Sequence, residues 1–312
     1  MSRRGSQIIL YPRGGLGNQL FQYGAALQLS KSLGLPITVN EALLGSSIQN
    51  NNGVGLRVLE LNEFNNSITE IASPGRIESE VLSKILTVQR LIGDRVPNFL
   101  LNFGIFANDQ QDQIEVFRTI DKTVSINSYC SSPAYFSGCQ DELAQQIANV
   151  RNPSQWFLRL SSQVSDASPI GVHVRLGDYK NLGSIYGRPD PHYYANAVKL
   201  ITEKVGDRPI WLFSDEPKLA YELVGESLKV TQVVDQSESD RAIEHLNLLG
   251  KCQGIVCTNS SFSWWGGFLS SKLVHGSTVV FPRPMFDSPN LREPHDWLLA
   301  DWVTLGRRIG LK

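Results

Sequence analysis

The sequence predicts an α/β protein whose strands form mostly parallel sheets. Apolar strand candidates alternate with helical segments between residues 170 and 281, and residues 7–39 are patterned as a strand, a helix and a second strand. The composition, 41% hydrophobic and 19% charged over 312 residues, is that of a globular chain long enough for one large or two ordinary domains. Because strands that are joined by helices run parallel, this alternation indicates sheets covered on both faces.

The first half of the chain opens with a strand over residues 7–11 and the glycine-rich turn RGGLGNQ. Apolar spacing predicts a helix from Leu20 to Leu33, which Gly34 and Pro36 end. The other elements predicted for this half are a strand (37–39), a loosely patterned region of helical pieces and polar loops (41–108), a strand (122–129) and two helices (138–150 and 153–164).

The second half repeats one pattern, in which a short apolar strand is followed by a polar loop and a helix. The predicted strands are 170–174, 210–213, 229–234, 255–258 and 278–281, and the predicted helices start near Asp190, Glu216, Ser239 and Ser261. A polar stretch within residues 151–168 separates the halves, so we predict domains 1–160 and 161–312. A last short helix over 296–311 is expected to pack back on one of the halves, the N-terminal one included.

Charge and cysteine usage exclude several classes of function. The formal net charge is −1, so nothing draws the whole molecule to nucleic acid or to an anionic membrane. The N-terminal apolar run is too short for a signal peptide or an anchor, so we expect a cytoplasmic protein without an integral membrane segment; peripheral attachment at the inner membrane face stays open. The four cysteines show no CxxC pair, which favours buried free thiols over disulfides or zinc.

Unusual residues follow four of the predicted strands, at the carboxyl edge where α/β sheets bind ligands. These loops are residues 13–19, 175–179, 214–216 and 259–265. One such loop would be unremarkable, but four at the carboxyl edge indicate a binding site.

The first of these loops is rich in glycine, which lets the backbone approach a phosphate or a sugar at the start of a helix. The dinucleotide fingerprint GxGxxG is not matched, because Leu20 stands where its third glycine would be. Two interpretations stay open: an ordinary tight turn, and a polar site. The adjacent amides of Asn18 and Gln19 favour the polar site.

The second loop begins where the strand 170–174 ends. His173 and Arg175 lie on either side of that end, and their side chains point to the same side because they are two residues apart. An arginine here can bind two oxygens of a phosphate, and Asp178 could orient it or cap the loop. The alternative is a buried histidine beside a surface Arg–Asp pair.

The fourth loop leads into a helix whose first turn contains Ser260, Ser261 and Ser263. Hydroxyl groups and unpaired N–H groups at such a position bind anions. Trp264 and Trp265 project about a hundred degrees apart, so one can pack on the sheet while the other faces a ligand. The glycine pair that follows lets the helix lie close to a neighbour. The alternative is an ordinary cap followed by a core helix.

No DxD or HxH metal motif stands out, and there is no GxSxG elbow or Cys–His nucleophile pattern. A site made of an arginine, helix starts and hydroxyls, without metal-binding carboxylates, suits a diphosphate. If the diphosphate is a leaving group, these donors stabilise its growing charge directly.

The segments GGLGNQLFQYGAALQLS, GVHVRLGDY, FSDE and NSSFSWWGG, in this order, resemble the α-1,2-fucosyltransferases of glycosyltransferase family 11. The resemblance implies a GT-B architecture with two Rossmann-like halves facing a central cleft, 1–160 on the acceptor side and 161–312 binding GDP-fucose. It implies inverting, metal-independent transfer of L-fucose from GDP-β-L-fucose to the 2-hydroxyl of a terminal β-galactoside, such as lactose. No cofactor is expected.

The resemblance also implies a role for each matching residue. Arg175 corresponds to an arginine on the β-phosphate of GDP, and His173 and Asp178 are the other catalytic candidates. The family's second arginine in this motif is replaced here by Leu176. The expected donor-binding residues are Gly15, Gly17, Asn18, Gln19, Arg175, Ser214, Asp215, Asn259, Ser260, Ser261, Phe262 and Ser263. Trp264 and Trp265 are expected to wall the acceptor side.

Several alternatives stay open. The enzyme could use a different sugar nucleotide. A non-catalytic sugar-binding protein could keep the tryptophans but would need neither Arg175 nor the helix-start serines. A nicotinamide-dependent oxidoreductase could share the alternating sheet but lacks the GxGxxG fingerprint. The general base is not assigned: Asp178, His173 and the departing phosphate oxygen are the candidates.

Overall fold

The computed structural model describes residues 6–44, 57–73, 124–126, 128–177, 187, 189–235, 237–286 and 296–307. The chain divides into two compact units, Met1–Gln146 and Ile147–Lys312. Each unit contains one parallel sheet with helices packed on it, and every strand pair among the described residues is parallel. The predicted fold class, α/β with mostly parallel sheets in two halves, is therefore confirmed.

The first unit has a four-stranded sheet in the order β3-β2-β1-β4. Its strands are β1 (Ile8–Leu10), β2 (Ile37–Asn40), β3 (Ile68–Ala72) and β4 (Val124–Ile126). Its helices are α1 (Leu16–Leu33) and most of α2 (Gln140–Ala148), with short 3₁₀ turns at Glu41–Leu43, Leu61–Glu63 and Pro133–Phe136. Helix α1 ends at Gly34, whose left-handed backbone closes the last turn onto the carbonyl of Ser30.

The second unit has a six-stranded sheet in the order β10-β9-β8-β5-β6-β7. Its strands are β5 (Ile170–Val174), β6 (Ile210–Ser214), β7 (Gln232–Val234), β8 (Gly254–Val256), β9 (Thr278–Arg283) and β10 (Val303–Gly306). Its helices are α3 (Gln155–Ala167), α4 (Pro191–Val205), α5 (Pro217–Ala220), α6 (Glu226–Leu228), α7 (Ala242–Gly250) and α8 (Ser261–Leu273); a π-helical turn, Tyr221–Gly225, joins α5 to α6.

Strand order gives each sheet one place where the chain reverses direction across the sheet. In the first unit the chain runs from β1 through β2 to β3, and then returns to pair β4 with the other side of β1. In the second unit it runs from β5 through β6 to β7, and then returns to pair β8 with the other side of β5. Loops leave such a switch point in opposite directions and open a crevice at the carboxyl edge. The β1/β4 and β5/β8 edges are thus the expected binding sites.

Three parts of the prediction need correction. The described part of the predicted terminal helix 296–311 contains strand β10, which pairs with β9 of the second unit. Strand β3 was not predicted, because it lies in the loosely patterned region. The division of the chain falls before α3, whereas the predicted boundary at residues 160/161 falls inside that helix. Most of the region 41–108 lies outside the described residues.

Among the described residues, no helix combines the length and the apolar character needed to cross a membrane.

Candidate active site

The β5/β8 switch point of the second unit brings two of the predicted loops to one crevice. Strand β5 is buried along its whole length and ends at His173 and Val174, and Arg175 follows it. Strand β8 leads through Cys257 and Thr258 to the start of α8. Since β5 and β8 are hydrogen-bonded neighbours, the structure joins the sequence motifs that begin at His173 and at Asn259.

Arg175 lies beside Asp215, which follows the adjacent strand β6. The Nε atom of Arg175 is 3.5 Å from Oδ2 of Asp215, and the two side chains are 23% and 22% exposed. The carboxylate also accepts the backbone N–H groups of Leu176 at 2.9 Å and Gly177 at 3.0 Å. Ser214, also predicted to bind the donor, is buried and accepts the N–H of Glu216 at 3.0 Å.

His173 is buried and joins β5 to the first turn of α8. Its Nδ1 lies 3.0 Å from Oγ of Ser263, and its ring packs against Phe262 with the centroids 5.2 Å apart. Ser263 is fully buried, and its Oγ also accepts the N–H of Thr258 at 2.9 Å. Burial lowers the pKa of His173 to about 3, with Asp215 opposing the shift. The imidazole is therefore neutral at ordinary pH and a weak base.

The start of α8 offers partly exposed donors beside this crevice. Ser260 is the N-cap residue, and its Oγ accepts the N–H of Phe262 at 3.3 Å. Ser260, Ser261 and Phe262 are partly exposed, so the first turn can receive an anion. Asn259, by contrast, is buried, and its side-chain amide donates to the carbonyls of Gly187 at 3.0 Å and Met285 at 2.8 Å. Asn259 and Ser263 thus stabilise the loop between β8 and α8 through buried hydrogen bonds.

Both tryptophans of the SWWGG run are 0% exposed, so neither has surface to present to a sugar. Trp264 donates its indole N–H to the carbonyl of Trp297 at 2.5 Å and stacks on Phe268. Trp265 packs edge-on against Trp264 and Phe268, with centroids 4.9 and 5.0 Å away. The prediction that these tryptophans wall the acceptor side is wrong: they form an aromatic core.

The glycine pair after them allows the close packing that the sequence predicted. A Cβ atom on Gly266 would lie 2.5 Å from the side chain of Leu249 on α7, and one on Gly267 would lie 2.9 Å from Val279 on β9. Gly250 on α7 faces α8 in the same way, with Leu269 at 2.6 Å. Larger side chains at these positions would force α8, or the side chains packed against it, to shift.

In the first unit, the glycine-rich turn follows β1 at the β1/β4 switch point. Gly14 has φ of +71°, which only glycine adopts readily, and Gly15 is the N-cap residue of α1. Gly17 and Asn18 lie in the first turn of the helix, Gly17 buried and Asn18 partly exposed. Gln19 is fully buried, and its amide donates to the carbonyl of Gly14 at 2.9 Å and to the carbonyl of Val58 at 2.8 Å. Gln19 therefore supports the turn.

Two charged residues beside this turn were missed by sequence reasoning. Glu60 accepts the N–H of Leu16 at the start of α1, and burial raises its pKa against the opposing charge of Arg57. A Cβ atom on Gly15 would lie 3.5 Å from the guanidinium of Arg57 and 3.9 Å from Oε2 of Glu60. Both residues come from a loosely patterned region of sequence, so no local signal connects them to a turn some forty positions earlier.

Two site predictions have a different outcome. Asp178 lies outside the described residues, so its role stays a prediction. Leu176, at the position of the family's second arginine, is buried among the apolar residues of the second unit's core.

A group of three or more His, Cys, Asp or Glu residues able to hold a metal ion does not occur in the described ranges. All four cysteines are free and buried, as predicted, and burial raises the pKa of each thiol.

In the second unit, a parallel α/β sheet brings an arginine and a helix start to one switch point, which is an arrangement suited to an anionic ligand at the sheet edge. The model of the family described as glycosyl transferase family 11 matches residues 7–306. The chain therefore belongs to glycosyltransferase family 11 and is a glycosyltransferase.

Three relatives show how widely this similarity extends. The chain is 27% identical to the O-antigen biosynthesis glycosyltransferase WbnK of Escherichia coli, over 94% of this chain and 98% of that protein. It is 24% identical to an alpha-1,2-colitosyltransferase of Escherichia coli, again over 94% and 98%. It is 23% identical to the galactoside 2-alpha-L-fucosyltransferase SEC1 of Bos taurus, over 60% of this chain and 53% of that protein.

Proposed function

We propose that this glycosyltransferase transfers L-fucose from GDP-β-L-fucose to the 2-hydroxyl of a terminal β-galactoside, with inversion and without a metal ion. The observation that carries the proposal is the β5/β8 edge, where Arg175 follows β5, the first turn of α8 follows β8, and the contact between His173 and Ser263 joins the two. This arrangement suits a diphosphate leaving group. The name of the bovine relative supports fucose as the sugar and a galactoside as the acceptor.

Arg175 and the start of α8 would act on the departing diphosphate. As the bond between the sugar and the β-phosphate breaks, negative charge grows on the phosphate oxygen, and these donors stabilise it. The N–H group of Ser261 and the hydroxyls of Ser260 and Ser261 supply donors that do not need a metal ion. The attacking 2-hydroxyl loses its proton either to Asp178 or to the departing phosphate oxygen.

His173 is better suited to positioning than to proton transfer. Its depressed pKa makes it a weak base at neutral pH, and its Nδ1 is engaged with Ser263. By joining the end of β5 to the first turn of α8, it fixes the distance between the two groups of phosphate donors. We therefore propose that the catalytic role predicted for His173 is indirect.

A second candidate donor is favoured by one of the relatives, which is named as a colitosyltransferase. Colitose is L-fucose without its 3-hydroxyl, so the same diphosphate site would serve either donor. The two donors differ by one hydroxyl, and a site that hydrogen-bonds this hydroxyl would reject the deoxy sugar strongly.

The test is to mix the purified protein with GDP-fucose, lactose and excess EDTA, and to follow GDP release and product by NMR. A new α-1,2-fucosyl linkage would support donor, inversion and metal independence together. Release of GDP without a fucosylated product would make lactose the wrong acceptor. Activity that EDTA abolishes and only a divalent ion restores would contradict the metal-free mechanism. Absence of GDP release, with turnover of GDP-colitose, would favour the second donor.

A further inference from the structure

Asp215 was expected to contact the nucleotide, but its carboxylate is engaged within the protein. One oxygen, Oδ1, accepts the N–H of Leu176 at 2.9 Å, and the other, Oδ2, accepts the N–H of Gly177 at 3.0 Å. Both donors belong to the loop that follows β5. Asp215 itself follows β6, whose last residue, Ser214, is in register with Val174 on β5. The carboxylate therefore bridges the ends of two neighbouring strands.

The same carboxylate contacts Arg175. Its Oδ2 atom is 3.5 Å from Nε, which is the inner edge of the guanidinium group. A carboxylate on this edge restricts the rotation of a long side chain that would otherwise sample many rotamers. The two side chains are each less than a quarter exposed, so the contact is only partly screened by solvent.

The packing around Gly177 shows how tightly the loop is held. A Cβ atom at Gly177 would lie 2.7 Å from Oδ2 of Asp215, closer than real Cβ contacts allow. A side chain at this position would therefore require the loop or the carboxylate to shift. A carboxylate in this position would repel a diphosphate if it faced one directly. Here the negative charge of Asp215 interacts with the N–H groups of the β5 loop and with Arg175.

We infer that Asp215 is a positioning residue, which fixes the β5 loop and the inner edge of Arg175 for diphosphate binding and does not contact the ribose or the base. The inference rests on the proposed function, because it takes the ligand of Arg175 to be a nucleoside diphosphate. It reassigns Asp215 from ligand contact to the support of a residue that makes one.

The inference is tested by measuring the affinities of GDP, GMP and guanosine for the full-length protein by calorimetry, with and without Asp215→Asn. An amide keeps one acceptor oxygen but replaces the other with a donor that faces an N–H group. We expect GDP to bind about tenfold or more weakly, while guanosine binding changes less than twofold. An equal loss for all three ligands would overturn the inference, because it would place Asp215 on the nucleoside.

A double-mutant cycle with Arg175→Ala supplies a second readout. If Asp215 acts through Arg175, then Asp215→Asn has little further effect on GDP affinity once the arginine is removed. Effects that multiply independently would overturn the inference. The matched control is Asp235→Asn, at the end of strand β7, whose carboxylate caps the local turn at Ser237. We expect that variant to bind GDP normally.

Gly177→Ala perturbs the same contact without changing any charge, and it serves if Asp215→Asn does not fold. Its Cβ would displace the loop or the carboxylate from their present contact, so we expect the same loss that is confined to GDP. Unchanged GDP affinity in this variant would overturn the inference. Failure of the unaltered protein to bind GDP at all would overturn the proposed function, which distinguishes that outcome from the others.

Discussion

Arg175 is the residue on which the proposed chemistry depends most directly. We expect Arg175→Ala to lower kcat by about a hundredfold or more, because the charge that the arginine stabilises grows as the sugar–phosphate bond breaks. The measurement is the rate of GDP release at saturating donor and acceptor. Arg208→Ala removes a cation from the exposed segment that follows α4 and serves as the control. A kcat within a few-fold of the unaltered protein would rule out the role of Arg175.

The buried His173 predicts how stability depends on pH. Its pKa in the folded protein, about 3, lies below that of an unfolded histidine, so between these values the unfolded state binds more protons. The contribution is fully present above about pH 6.5 and is lost as the pH falls, by at most about 1.4 kcal/mol per pH unit.

Denaturant titrations from pH 7 to pH 4 check this expectation. The unaltered protein should lose stability steadily, and His173→Asn should show a shallower dependence because Asn does not titrate. Some dependence should remain, since burial lowers the pKa of His245 as well. Identical slopes for the two proteins would contradict the assignment of the effect to His173.

The buried tryptophans are expected to affect stability, whereas the sequence suggested that they contact the acceptor. Trp265 is fully buried against Trp264 and Phe268, so Trp265→Phe should leave a cavity and lower the free energy of unfolding by about 1–3 kcal/mol. The KM for the acceptor should not change. Chemical denaturation and acceptor kinetics check the two halves of this expectation. A raised acceptor KM at unchanged stability would restore the sugar-contacting role.

At the scale of elements, the turn between β1 and α1 contains two adjacent glycines with different structural needs. Gly14 has φ of +71°, and a Cβ there would meet the Asn18 side chain, so Gly14→Ala should destabilise the first unit by about 1–2 kcal/mol. Gly15 has φ of −81°, and its nearest neighbour would be 3.5 Å from a Cβ, so Gly15→Ala should be tolerated.

Thermal unfolding and kinetics of the two variants separate fold from function at this turn. If the donor approaches the backbone at Gly15, as the family resemblance implies, then Gly15→Ala should raise the donor KM while Tm stays the same. Gly14→Ala should lower Tm. Equal losses of Tm in both variants would show that the fold itself requires both glycines.

The elements that the sequence predicted best have local signals. Asp190 and Pro191 cap α4 as expected, and Ser260 caps α8, because capping depends on residues that are neighbours in sequence. Strand β10 was missed for two reasons. The apolar residues before it have a spacing that resembles a helix, and its pairing with β9 depends on tertiary contacts that no local signal shows.

In the candidate site, too, the sequence predicted the features that depend on local signals and missed those that depend on tertiary contacts. The sequence placed Arg175 and Ser260 after strands, because the pattern of apolar residues shows where each strand ends. The carboxyl ends of parallel strands lie together at one edge of the sheet, so both residues could be assigned to that edge. It could not show that the side chains of Asp215, Asn259 and Ser263 face inward to hold loops. Those roles depend on hydrogen bonds to residues of other elements, up to 90 positions away for Ser263 and His173.

At the scale of the whole molecule, the position of α3 predicts which fragment can fold alone. Helix α3 belongs to the second unit and packs on α7, burying Trp156, Phe157, Leu160 and Val164. Just before it, Ser154 donates its N–H and its hydroxyl to the buried carboxylate of Glu244, each at 2.7 Å. A fragment that begins inside α3 would expose this apolar face and deprive a buried carboxylate of two donors, which costs several kcal/mol.

We therefore expect the fragment Ile147–Lys312 to unfold cooperatively and to bind GDP, because it contains its own core and the whole β5/β8 crevice. The fragment 161–312, cut where the sequence predicted the boundary, should aggregate or unfold without a cooperative transition. Circular dichroism during heating and calorimetry with GDP distinguish the two. Equal stability of the fragments would mean that α3 is not part of the second unit's folding core, and loss of GDP binding in the longer, folded fragment would mean that the crevice alone does not make the nucleotide site.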